Sequence, residues 1–148
     1  MCTEEDTMKQ LPAYILAFLL FLLASSSIAL AEGPSDLPEQ FMKQVVAGKV
    51  AEAVDQYFST NQLVAQKTQQ VQYVKTQIDA LFQMLGKPFA YELVTEDILA
   101  PSLRRYVYIS KHDYHAITWE FFIYKPKDAW IASNMNFNDN FATAGSRK

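Results

Sequence analysis

The spacing of apolar positions changes at Phe89. Before it they recur every third or fourth residue, and after it every second, so helices are expected first and strands afterwards. Residues 33–38, reading Gly-Pro-Ser-Asp-Leu-Pro, form a short linker, and Pro38 suits the opening of a helix. Residues 39–58 read as two helices broken near Gly48, with Ala51, Val54 and Phe58 lining the second. Ser59, Thr60 and Asn61 offer caps for a longer helix over 62–85. There Val64, Val71, Val74, Ile78, Leu81 and Leu85 make one apolar stripe against a Gln/Lys reverse face. Gly86 supplies the stop and Pro88 blocks continuation.

From Phe89 to Glu96, Phe89, Tyr91 and Leu93 alternate with Ala90, Glu92 and Val94. From Leu103 to Lys111, Leu103, Arg105, Val107 and Ile109 alternate with Arg104, Tyr106, Tyr108 and Ser110. Residues 114–139 then form the densest aromatic and β-branched run, a hairpin turning at Lys125-Pro126-Lys127-Asp128, where Pro126 pre-sets φ for a type I turn. A three-residue loop with a bulge puts Ile117, Trp119, Phe121 and Ile123 on one face with Ile131, Ser133, Met135 and Phe137. A two-residue loop slips the register by one and exchanges the faces. Helices followed by at least four antiparallel strands make an α+β fold, with N-terminal helices packed on one face of a curved sheet. Residues 39–141 form that domain and 142–148 a flexible tail.

If the helices cover the Trp119 face, the opposite face shows Tyr106, Tyr108, Phe122, Tyr124 and Trp130. So aromatic a surface is expected to be an interface, with a two-fold homodimer as the commonest form. The sheet curling over these rings to bury them is the plainer alternative.

The N-terminal third alters the picture of location. Residues 11–31 are an apolar run ending in Ala29-Leu30-Ala31, preceded by Lys9, which is the outline of a secretory signal peptide cleaved between Ala31 and Glu32. Glu4, Glu5 and Asp6 depart from that outline, and initiation at Met8 removes them. An uncleaved membrane anchor is the rival reading, since about twenty residues span a bilayer. Cleavage implies a periplasmic or secreted protein, and membrane association only if the segment is retained. Cys2, the single cysteine, lies upstream of the cleavage point, so the mature chain forms no disulfide and no Cys-based metal site. Removing Glu4, Glu5, Asp6 and Lys9 from 16 acidic and 13 basic side chains leaves 13 and 12. No basic run marks a nucleic-acid surface.

Candidate chemistry is sparse. His112 and His115 flank Asp113, but residues three apart on a strand point to opposite faces, and nothing completes a metal shell. His115 alone shares the Trp119 face near a strand end, where a general acid or base would sit; a rim histidine bonded to backbone is the plainer account. Tyr91, His115, Trp119 and Ser133 are the expected pocket residues, with Ser133 marking free volume. Asn134, Asn136, Asn138 and Asn140 read as a solvated polar face. No phosphate loop, nucleophile elbow or cofactor motif is present.

The segments AGKVAEAVDQYF, LFQMLGKP, RRYVYIS, ITWEFFIYKPKDAW and MNFND, in this order, resemble the NTF2-like α+β cone superfamily, and within it small exported bacterial members. The resemblance spans most of residues 41–137 and rests on element order and hydrophobic pattern. It implies a curved sheet wrapping the helices around a pocket and dimerisation through the outer sheet face. It implies no single activity, because the superfamily holds isomerase-like and dehydratase-like enzymes beside non-catalytic binding modules. The isomerase-like pattern of an Asp base facing a Tyr–acid pair has no matching positions here. The expected function is therefore a non-catalytic module binding a small apolar or amphipathic ligand or a protein, without cofactor. The alternative is a small lyase or isomerase using His115 with a carboxylate.

Overall fold

A computed structural model describes residues 33–141 and 144. The apolar segment at 11–31, its cleavage point, Cys2 and most of the 142–148 tail lie outside the described residues. Four helices precede four strands: α1 Asp36–Val46, α2 Val50–Ser59, α3 Gln62–Ala65, α4 Thr68–Leu85, then β1 Ala90–Ala100, β2 Leu103–Lys111, β3 Ala116–Tyr124 and β4 Ile131–Asn138. The strands form one antiparallel sheet in sequence order, and the helices pack with it in an α+β arrangement.

Helix α1 begins at Asp36, so half of the expected linker is helical. Pro38 fits there because the first-turn N–H groups have no intrahelical acceptor to lose. The Asp36 carboxylate closes the entry by accepting from Gly33 N–H at 2.7 Å. Gly48, at φ 79°, makes the α1–α2 turn as expected. The buried stripe of α2 is Val50, Ala53, Val54, Tyr57 and Phe58; Ala51 faces solvent, one position off the stripe. Asn61 caps α3 through its side chain, accepting from Leu63 N–H at 3.2 Å. The long helix expected over 62–85 breaks at Gln66–Lys67 into α3 and α4. Gly86 ends α4 at φ 85°.

The β2–β3 register is unbroken and pairs Tyr106 with Phe121 and Tyr108 with Trp119. This turns both tyrosines inward, to 1% and 4% exposure, which corrects their expected place on the outer face. Alternation separates two sets of residues without saying which is inside. The aromatic set takes the helix side because its rings reach Phe41, Tyr57 and Phe82 across the layer. Outside lie Arg105 and Val107, beside Thr118 and Glu120 of β3.

The hairpin also differs from expectation. Six residues, 125–130, separate β3 from β4, and the irregularity falls inside β4. Ile123 faces Ala132 and Phe122 faces Asn134, so Ser133 is the extra residue. Ser133 is thereby bulged and exposed, and Ala132 takes its inward place. Beyond the bulge Phe121 meets Met135 and Trp119 meets Phe137, the face-sharing read from the pattern.

Candidate functional site

The concave sheet face is filled by rings. Phe41 of α1 lies 5.6 Å from Trp119 and 5.3 Å from Phe121, centroid to centroid. Tyr57 of α2 lies 5.5 Å from Phe121, and Phe137 lies 5.3 Å from Trp119. Trp119, Phe121, Ile117 and Ile123 are fully buried. The space a cone would leave for a ligand is occupied by side chains.

Polar groups inside this packing are satisfied internally. Trp119 Nε1–H donates to Ser110 Oγ at 2.8 Å, and Ser110 Oγ lies 2.9 Å from His112 Nε2. His112 Nδ1 lies 2.6 Å from the Gly86 carbonyl. A carbonyl only accepts, so Nδ1 carries the proton, and in the neutral ring Nε2 accepts from Ser110. Phe82 covers the imidazole at 5.2 Å. The relay joins β3, β2 and the stop of α4. A Ser–His contact of this length also occurs in nucleophilic sites, but Ser110 is fully buried, its oxygen is engaged by Trp119, and His112 is oriented by a backbone carbonyl. It does the work of a clip.

The expected pocket residues do not converge. Tyr91 is half-buried on the inner face, 6.0 Å from the Tyr108 ring. His115 is exposed; its Nε2 lies 2.9 Å from the Asp139 carbonyl and its ring 5.1 Å from Phe141. Trp119 is core and Ser133 lies on the bulge. Of the expected interface residues, Phe122 and Trp130 are half-buried, Tyr124 is exposed, and Tyr106 and Tyr108 are core. Arg104 and Lys125 lie over the Trp130 ring at 5.4 and 5.7 Å.

The outer sheet face centres on charge. Arg105 Nε meets Glu120 Oε1 and Arg105 Nη1 meets Asp97 Oδ2, both at 2.5 Å, and Asn136 Nδ2–H donates to Glu120 at 3.3 Å. Burial opposes the Arg105 charge, but hydrogen bonds and charge from Glu120 and Asp97 outweigh it and hold the guanidinium pKa above its ordinary value. Sequence reading gave Arg105 no role beyond its place in the strand alternation. The signal it passed over was an Arg at mid-strand, with acids at the same alternation phase in both neighbouring strands.

Two apolar features are open to solvent among the described residues. One is a groove of about 370 Å³ between the α1–α2 turn and the end of α4, lined by Val45, Val46, Val50, Phe82 and Pro88, with Asp79 and Lys87 among its polar groups. The other is the β1 edge, where Leu93, Val94, Ile98 and Leu99 are all exposed. Among the described residues no cluster of three or more His, Cys, Asp or Glu fits a metal, and no helix is long and apolar enough to cross a membrane. Comparison with protein-family models, curated proteins and solved structures finds no match.

Proposed function

We propose that this chain is a non-catalytic protein-interaction module of an NTF2-like kind, exported by way of residues 11–31, which works through its outer surface. The observation that carries this reading is the occupied concave face, where Trp119, Phe121 and Phe41 stand in the place of a ligand. Catalysis needs a base and a substrate volume in one cavity. His115 instead sits exposed against a backbone carbonyl, and the Ser110–His112 pair is sealed. A large apolar surface on an edge strand is the usual mark of a protein contact.

A second reading rests on the groove beside the α1–α2 turn. Its apolar floor, with Asp79 and Lys87 among the lining, suits a small amphipathic ligand. Native mass spectrometry of the full chain taken from its native host separates the two. The module reading expects a complex with another polypeptide and no small-molecule mass on the free chain. A free chain carrying stoichiometric small-molecule mass contradicts it and favours the groove.

A further inference from the structure

The two edges of the sheet are finished differently. On β4 the backbone is occupied from the helix side. Tyr57 Oη donates to the Asn134 carbonyl at 3.1 Å, Asn61 Nδ2 donates to the Ala132 carbonyl at 2.8 Å, and Ala132 N–H donates to Thr60 Oγ1 at 2.9 Å. Those side chains close the edge that an added strand would need. On β1 the Ala100 carbonyl accepts from Arg104, and the other outward backbone groups meet no such side chain among the described residues. β1 is also the longest strand described, at 11 residues.

The side chains of β1 add a second asymmetry. Its pairing with β2 shifts between Leu93 and Thr95 and again between Ile98 and Ala100, so Val94 and Leu99 are extra residues. Each bulge presents two adjacent apolar side chains, Leu93-Val94 and Ile98-Leu99, at 51%, 45%, 71% and 50% exposure. Bulges and charges commonly protect an edge, but here the bulges aim apolar groups at solvent.

Charge decides what fits. β1 contributes Glu92, Glu96 and Asp97 and no basic residue. Lys111 bonds Glu92, and Arg105 is shared between Asp97 and Glu120, so these three carboxylates face two basic partners. Glu96 accepts from Tyr106 Oη, a neutral donor. A second copy of β1 laid antiparallel on the first would double Glu92, Glu96 and Asp97 along the seam. Like charges facing one another across strands are destabilising.

We propose that the β1 edge receives an extended segment of a protein partner in which basic and apolar residues alternate. The segment adds a fifth strand, with its apolar side chains on the face of Leu93 and Ile98 and its basic ones beside Glu92 and Asp97. This rests on the reading of the chain as an interaction module and names the surface and the partner chemistry.

The test uses the full chain and two fluorescein-labelled ten-residue peptides, one alternating Lys with Val and one alternating Glu with Val. Fluorescence anisotropy is expected to show the Lys/Val peptide binding at least tenfold more tightly, and more weakly as salt rises. Val94→Lys with Leu99→Lys is expected to weaken that binding at least tenfold. Both positions are exposed, so the melting temperature is expected to hold. Equal binding of the two peptides, no binding of either, or wild-type binding by the double variant overturns the proposal. So does sedimentation with phosphatidylcholine vesicles that the double variant abolishes, which would make the edge a lipid contact. None of these outcomes touches the interaction reading itself, which the native mass spectrum of the full chain tests separately.

Discussion

Trp119 and Ser110 are joined across β3 and β2 by an indole N–H···Oγ hydrogen bond of 2.8 Å, and that bond starts the relay that ends on the Gly86 carbonyl. Removing the hydroxyl strands two buried polar groups at once, the Trp119 N–H and the His112 Nε2. An unsatisfied buried group costs about 1–3 kcal/mol. Ser110→Ala is therefore expected to lose roughly 2–4 kcal/mol in urea unfolding on that per-group cost. A loss under 0.5 kcal/mol, roughly the scatter of surface changes, would show that the relay does not hold the fold.

Thr118 offers the opposite case. Its Oγ1 is buried on the outer face of β3 and has no hydrogen-bond partner. A hydroxyl desolvated without compensation is a cost, and valine is its isostere. Thr118→Val is expected to raise stability by about 1 kcal/mol, read from the denaturation midpoint at constant m.

Three tyrosines make the alkaline limb of stability predictable. Burial raises the pKa of Tyr57 and, together with the hydrogen bond to Glu96, that of Tyr106; burial pushes Tyr108 up to about 12. Each folded value exceeds the unfolded value near 10, so the neutral form belongs to the fold. Stability from these groups is complete below pH 10 and drains as pH climbs from 10 towards 12, where only the unfolded chain ionises them. Absorbance titration of tyrosinate should show these three of the eight tyrosines ionising only above the ordinary range, with unfolding. Ordinary titration of all eight below the unfolding transition would contradict the inward register of β2.

The packed concave face has its own check. Trp119→Ala empties the centre of the ring cluster and is expected to cost about 3–5 kcal/mol. The vacated space is apolar except for the Ser110 hydroxyl, which matches indole. Added indole is expected to raise the melting temperature of the variant and leave that of the parent unchanged. Stabilisation of the parent by indole would mean that the core already has room for a ligand.

Element types and order were legible in the sequence because helix stops and strand periods are local. Gly48, Asn61 and Gly86 act where their chemistry placed them. The faces of β2 were not legible, since Leu103, Val107 and Ile109 look as core-like as Tyr106 and Tyr108 until pairing with β3 fixes the phase. Ser133 was misplaced because a bulge inside a strand leaves no composition mark. His112 was weighed only as a metal ligand, and its role depends on a carbonyl 26 positions earlier in the chain. Leu93 and Val94 were read as ordinary alternation, and Ile98 and Leu99 fell beyond the expected strand, for nothing local says which strand will be an edge.

The most direct measurement is a photo-crosslinking scan of the full chain in its native host. The crosslinker would be placed at Leu63, Tyr73, Leu93, Leu99, Tyr114 and Tyr124, all exposed. A module working through its surface predicts a discrete protein adduct, strongest at Leu93 and Leu99. An adduct confined to another position would move the contact off β1 and keep the module. No protein adduct at any of the six positions would contradict the interaction role.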